Sequence, residues 1–295
     1  RPLAVGIFTD EEGARFAPDM LGSLVYVGGL SLEEALDVIA IDGAKLGDEL
    51  VRIGYAGTTP CPGLIPHAFV ELHIEQGPIL EAEDKQIGVV THGQGLWWLE
   101  VTLIGKDAHT GSTPMNMRVN AGLGMARMTE LVHTIAMDNQ PGAVGAIGQC
   151  NVYPNSRNVI PGKCVFTIDF RSPDLEKLTA MRARFEAEAP AIADALGLTM
   201  TIEPVGHFDP VTFDESCVTA VRSAAERLGY SHMDLISGAG HDACWINRVA
   251  PTAMVMCPCV DGLSHNEAEE ISKEWAAAGA DVLFHAVIET AGVVA

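Results

Sequence analysis

Basic residues are scarce in this sequence. Only 18 of its 295 residues are Lys or Arg, against 39 Asp or Glu, which leaves a formal net charge of −21 and a pI near 4.7. A surface this acidic repels phosphate backbones and anionic headgroups, so neither nucleic acid nor a membrane is expected as a partner. Long apolar runs are missing too, and with them any sign of a transmembrane helix. The N-terminus lacks the basic-then-apolar pattern of a secretory signal. Paired cysteines are also wanting. The seven (61, 150, 164, 217, 244, 257 and 259) are scattered and odd in number, as expected for reduced thiols in a cytoplasmic protein. There is no initiator Met. The chain opens at Arg1 and at once enters the apolar run Leu3–Phe8, so the natural protein is expected to have residues upstream.

What is present suits a folded α/β protein. Apolar residues make up 48%, enough for a sizeable core in one or two domains, and Gly (30) and Pro (16) are at ordinary levels. Leu3–Phe8 (LAVGIF) predicts a short buried parallel strand. Ser31–Ile41 carries a helical apolar stripe, and Phe69–Ile74 alternates as a strand does. The middle predicts strand Trp97–Ile104, helix Asn116–Met137, strands Ala143–Val152 and Lys163–Arg171, helix Asp174–Leu196 and strand Leu198–Val205. That order, β-α-β-β-α-β, is a split βαβ, ferredoxin-like pattern. Helix Cys217–Leu228, strands Met233–Ile236 and Thr252–Cys257, and helix Lys273–Ala291 then resume the alternation. The expected architecture is a discontinuous α/β domain (1–93 and 207–295) with an inserted ferredoxin-like domain (94–206).

Three clusters of ligand-type residues fall at ends of predicted strands, the edge of an open α/β sheet where ligands bind. They are Thr9-Asp10-Glu11-Glu12-Gly13, Glu71-Leu72-His73-Ile74-Glu75-Gln76-Gly77, and Ser264-His265-Asn266-Glu267. Of two adjacent carboxylates, one can hold a metal while its neighbour serves as general base. A carboxylate with two imidazoles is a donor set that zinc or manganese accepts. No cluster decides the matter alone, since an acidic pair also suits a solvated turn and a strand His also suits a hydrogen-bonded core.

Together, FTDEEGARF, ELHIEQGPILE, DAHTGSTPM, SRNVIPG, FTIDFRSPD, GAGHDA and GLSHNEAE resemble the amidase branch of the M20 metallopeptidase superfamily. That branch contains N-carbamoyl-L-amino-acid hydrolases, β-ureidopropionases and allantoate amidohydrolases. The resemblance spans nearly the whole chain, and it implies a catalytic domain with an inserted lid through which the protein forms a homodimer. It further implies Glu11 as general base and Glu12, His73 and His265 as ligands of two divalent ions (Zn, Mn, Ni or Co). Gln76 is implied as a substrate contact and His109 as the group that polarises the scissile carbonyl. Asn158 and Arg171 are implied to grip the substrate carboxylate, a role to which a guanidinium fork is well matched. Gly240 would offer backbone contacts. His241 and Asp242 form a tempting pair that the resemblance does not require.

One departure stands out. The family's dinuclear site also needs a His and a bridging Asp upstream of the acidic pair. The ten residues before Glu11 include no His, and Asp10 is not in the bridging position. The expected reaction is hydrolysis of the ureido C–N bond of an N-carbamoyl-L-amino acid, a small-molecule substrate, or of N-carbamoyl-β-alanine. Allantoate is the alternative substrate. It is disfavoured because Gly95-Leu96-Trp97-Trp98-Leu99 lacks a basic residue for a second ureido group. A second enzymatic alternative, a peptidase or aminoacylase of the same superfamily, is argued against by ELHIEQGP. The alternative of another class, a non-catalytic dimeric binding protein with an incomplete metal site, rests only on the missing upstream ligands.

Overall fold

The computed structural model describes residues 1–293. Its backbone divides into two compact units, Arg1–Gly93 with Val211–Ala295, and Gln94–Pro210. The first unit begins with three short helices, α1 (Leu21–Tyr26), α2 (Leu32–Leu36) and α3 (Leu46–Arg52). They gather around Phe16, Leu21, Val25, Ala35 and Leu46. The apolar stripe over Ser31–Ile41 therefore yields a helix of only five residues. Ser31 starts it with a reciprocal capping box to Glu34. Beyond Asp37, Val38, Ile39 and Ile41 are β-branched and favour extended backbone. Ala40 and Val38 bond instead to Ala44 and Leu46 across a turn.

Next come β1 (Phe69–Ile74), α4 (Ile79–Ala82) and β2 (Ile87–Gly93). The second unit then supplies β3 (Gly95–Ile104), β4 (Ala108–His109), α5 (Ala121–Asp138), β5 (Val144–Tyr153), β6 (Val159–Ile160), β7 (Lys163–Ser172), α6 (Leu175–Ala195) and β8 (Thr199–Phe208). The first unit closes with β9 (Val211–Thr212), α7 (Glu215–Leu228), β10 (His232–Ser237), α8 (Asp242–Ile246), β11 (Thr252–Cys257) and α9 (Lys273–Ala291). The protein is thus of mixed α/β class.

The first unit's sheet runs β1-β11-β2-β10, with β9 also pairing β2. The β1/β11 and β2/β10 pairs are parallel, whereas β11/β2 is antiparallel. All six residues of β11 are buried, as its unbroken apolar run TAMVMC requires. Helices α7 and α9 pack together and cover β11 and β2, with α9 also reaching β1. Leu3–Phe8, expected as a buried strand, belongs to no regular element. Leu3, Val5 and Ile7 are 57%, 89% and 90% exposed. A buried strand needs a neighbour to take its ladder bonds, and among the described residues this stretch pairs with no strand. Only Phe8 is anchored, its ring edge-on to those of Tyr26 and Phe69 at 5.7 and 6.3 Å.

The second unit follows the order strand–helix–strand–strand–helix–strand, with the short β4/β6 ladder as an addition. Its sheet, β5-β7-β3-β8, is antiparallel throughout. Alternation along β7 buries Cys164, Phe166, Ile168 and Phe170 against α5 and α6, leaving Val165, Thr167, Asp169 and Arg171 on the opposite face. Helix α5 starts at Ala121 rather than Asn116 because Asn120 caps it, its side-chain oxygen accepting the Leu123 N–H at 3.1 Å. Asp174 likewise caps α6, accepting from Glu176 and Lys177. Strand β8 runs on to Phe208, opposite Leu96, so the boundary of the unit falls at Pro210 rather than at 206.

Among the described residues, no helix is long and apolar enough to cross a membrane. The seat of α9 on the sheet depends on Gly279. A Cβ added there would lie 2.7 Å from Leu72 Cδ1 and would also run into the Cys257 sulfur. In an open helix Gly→Ala stabilises by about 1 kcal/mol. Here Gly279→Ala is expected to destabilise by about 1–3 kcal/mol through overpacking, read as a lowered midpoint in urea unfolding.

Candidate active site

Strands β1 and β11 run parallel and end side by side at Ile74 and Cys257. The Glu75 N–H extends the ladder by donating to the Cys257 carbonyl at 2.7 Å. The buried Glu75 carboxylate then accepts the backbone N–H groups of Ile79 and Leu80 at 2.8 and 2.7 Å. These bonds satisfy the first amides of α4 and set the turn that carries Gln76, whose φ is 56°. His265, with φ of 54°, belongs to the loop after β11. Its Nε2 lies 3.5 Å from Gln76 Nε2 and 3.5 Å from Glu12 Oε2.

The acidic pair arrives on an irregular loop that folds back on α1. Met20 N–H donates to the Glu11 carbonyl at 2.7 Å, and Gly22 N–H to the Thr9 carbonyl at 3.0 Å. Gly13 makes the fold-back possible, with φ of 60° and the Asp19 Cα 2.7 Å from where a Cβ would stand. Burial, then the negative charges of Glu12, Asp242 and Asp19, hold the Glu11 carboxyl above its ordinary value, while His265 opposes them.

On β1, Glu71 and His73 are two residues apart and so share a face. Burial pushes Glu71 up to about 7, against the Ala243 N–H that donates to its Oε2 at 2.8 Å. Asp242 and Glu11 add repulsion. A carboxyl in this position is poised between its two protonation states near neutrality. His73 Nδ1 lies 2.7 Å from the Ile74 carbonyl. A proton on Nδ1 for that bond leaves Nε2 as the acceptor side of the ring. The His73 ring packs 4.6 Å from that of His241. His241 is buried, with Nε2 2.7 Å from Ser237 Oγ, and burial followed by the nearness of His73 drives it down to about 3. Asp242 is raised by burial, with Ser23 opposing, and its Oδ1 is buried without a hydrogen-bond partner.

The first unit therefore brings Glu12, His265 and Gln76 together. Electrostatic contacts link Glu11 to Glu12, His265 and Asp242, and link Glu71 to Glu11 and Asp242. His73 does not join the Glu12–His265 pair. Among the described residues, no group of three or more His, Cys, Asp or Glu side chains is arranged to hold an ion. Of the expected Glu12, His73 and His265, the first and last are in contact with each other. The side chains of Glu12 and His265 are 68% and 70% exposed. Gly240 precedes His241 in the same unit, where a Cβ would meet Met20 Cε at 2.9 Å.

In the second unit, His109 ends β4, opposite Val159 on β6. Its Nδ1 accepts the N–H groups of Gly111 and Ser112, both at 3.1 Å. An Nδ1 that accepts leaves the proton on Nε2, so the exposed side of the ring is a donor. Asn158 Oδ1 accepts from the Ser156 hydroxyl at 2.8 Å, and its carbonyl accepts the Thr110 N–H at 3.1 Å, tying its loop to that of His109. Arg171 on β7 is held by Asp169, with Nε to Oδ1 at 3.0 Å and Nη2 to Oδ2 at 2.7 Å.

Glu71 has no assigned role in the sequence reading, although it stands in the same motif as His73. Its spacing of two from a candidate ligand on an alternating strand was the available signal. The burial of His241 could not be read from GAGHDA, because the strand–loop–helix turn that seats it follows from tertiary packing.

The pattern of Peptidase family M20/M25/M40 matches residues 1–289. An N-carbamoyl-L-amino-acid amidohydrolase from Rhizobium meliloti is 67% identical over 293 residues, covering 99% of this chain and 70% of that protein. An N-carbamoyl-L-amino acid amidohydrolase from Geobacillus stearothermophilus is 35% identical, covering 98% and 71%. The crystal structure of an amidase of the hydantoinase/carbamoylase family from Burkholderia multivorans superimposes with a TM-score of 0.93 at 53% identity, covering 97% of this chain and 69% of the other. The chain belongs to the M20/M25/M40 family of peptidases and related amidases.

Proposed function

We propose that the protein is a metal-dependent amidohydrolase. It cleaves the ureido C–N bond of N-carbamoyl-L-amino acids, taking up water and releasing amino acid, carbon dioxide and ammonia. The observation that carries this reading is the Glu11 carboxylate, raised by burial and set beside the Glu12–His265 pair after the parallel β1 and β11 strands. The likeness to the Rhizobium meliloti amidohydrolase supports the choice of substrate.

Glu11 acts as general base, taking a proton from the attacking water and returning it to the departing nitrogen. A raised carboxyl suits both halves of that cycle better than an ordinary one does. His109 donates from Nε2 to the carbonyl oxygen as charge develops there. Gln76 orients the ureido group, Gly240 offers backbone polar groups, and Arg171 and Asn158 take the substrate carboxylate.

Glu12, His265 and His73 are the residues that would hold divalent ions such as zinc, manganese, nickel or cobalt. A bound ion lowers the pKa of water and polarises a carbonyl. In kind these donors suit such an ion, but in number the assembled pair falls short of a closed site. The two units correspond in this proposal to a catalytic domain and a ferredoxin-like lid, with a homodimer formed through the lid and the enzyme working in the cytoplasm.

Ammonia release from N-carbamoyl-L-methionine, N-carbamoyl-β-alanine and allantoate, each with added Mn, Ni, Co or Zn, tests the activity. The N-carbamoyl-L-amino acid is expected to turn over fastest. Faster release from allantoate would instead make the protein an allantoate amidohydrolase. No release from any of them would leave a non-catalytic dimeric binding protein. Glu11→Gln is expected to abolish turnover while metal content, measured by mass spectrometry, persists, and near-normal activity in that variant would overturn the role of Glu11. His109→Phe is expected to lower kcat by about a hundredfold with a much smaller change in KM, as loss of one oxyanion donor does.

A further inference from the structure

The face of the second unit's sheet turned away from α5 and α6 carries, around Arg171, side chains that the reaction above does not use. The antiparallel registers set Val144, Arg171, Leu96 and Phe208 in one row across β5, β7, β3 and β8. The next row is Ala146, Asp169, Trp98 and Gly206. Side chains directly opposite one another lie about 4.5–5.5 Å apart at Cβ, and diagonal neighbours remain within reach of an aromatic ring. Arg171 is thus a cation set among apolar side chains, oriented by Asp169 from the adjacent row.

Trp98 is the unusual member. It is 39% exposed, whereas Trp97 beside it points to the helix face. There Trp97 stacks on His207 with ring centroids 3.8 Å apart and lies under the Arg182 guanidinium at 4.0 Å. Packing therefore accounts for Trp97 and leaves the placement of Trp98 unexplained. The indole rests over Gly206, where a Cβ would stand 2.9 Å from Trp98 Cε3. The missing side chain at 206 and the irregular register between Trp98 and Leu99 create its seat.

We infer that Trp98 and Leu96 form a subsite for the side chain of the N-carbamoyl-L-amino acid, making the protein selective for large apolar and aromatic residues. The inference rests on the proposed function, in which Arg171 takes the carboxylate. An α-amino acid derivative carries its carboxylate and side chain on one carbon. A guanidinium with an apolar strip at the neighbouring positions matches that pairing of groups. The occupant is thus an anion with an apolar side chain on the carbon beside its carboxylate.

The test compares kcat/KM for N-carbamoyl-L-phenylalanine with that for N-carbamoylglycine, using the metal-supplemented protein. The wild-type ratio is expected to be about tenfold or more in favour of phenylalanine, the scale of discrimination that an apolar pocket provides. Trp98→Ala is expected to erase most of that ratio, Trp98→Phe to keep most of it, and Leu96→Ala to lower it less. Gly206→Ala displaces the indole without removing it, and is expected to lower the ratio as well. A ratio unmoved by Trp98→Ala and Gly206→Ala, in variants shown folded by circular dichroism, would overturn the subsite while leaving the amidohydrolase activity standing. A wild type that releases ammonia from neither compound would overturn the proposed activity, and the subsite with it.

Discussion

The candidate site depends on the parallel pairing of β1 with β11. Six consecutive Cα partners, from Phe69↔Thr252 to Ile74↔Cys257, place the ends of two strands distant in sequence side by side. β11 is buried along its whole length, so a slipped register would have to repack side chains on both of its faces. Glu75 passes that precision on to the loop beyond the strand: its N–H continues the ladder and its carboxylate holds the next helix. Gln76 and His265 owe their proximity to this chain of constraints rather than to any strong attraction between them. Glu12 has no such support, and its contact with His265 is an exposed one of the kind that contributes little to stability.

The electrostatics of the group follow from its acidity. Glu11, Glu71 and Asp242 are all raised, and in each case burial is the leading cause. Mutual repulsion adds to this for Glu11 and Glu71. Carboxyl groups crowded in this way bind protons more readily than they would in water, and they favour a cation nearby. Buried His241 shows the complementary effect, its neutral form favoured beside a second imidazole. One short stretch of β1 thus carries both a raised carboxyl, Glu71, and an imidazole, His73.

Much of the architecture could be read from periodicity. Strand Thr252–Cys257 and helix Lys273–Ala291 appear as expected, since an unbroken apolar run and a clear Ser272 cap leave little freedom. The second unit's order was legible because alternation along β3 and β7 is strong. Less visible was Ile87–Gly93, whose Gly88 and polar Thr91-His92 disguise a strand buried by its neighbours. Leu3–Phe8 misled in the other direction, since an apolar run shows a tendency to be covered but does not supply the partner that covers it. The residues of the candidate site were legible as motifs, but their mutual distances were not. His73 beside His241, and Glu71 beside Ala243, arise from the way α8 packs on β1.

Two adjacent tryptophans on one strand have separate duties. Trp97 is locked between an imidazole and a guanidinium on the side that holds the helices, while Trp98 looks the other way from a seat formed by a glycine. Pleating divides them so fully that the two positions are free to evolve independently. Selection on position 98 can reshape what the sheet recognises without loosening the core, whereas a change at 97 disturbs the scaffold whatever the protein binds. Lineages that share this fold can therefore diversify in preference through a single outward-facing residue.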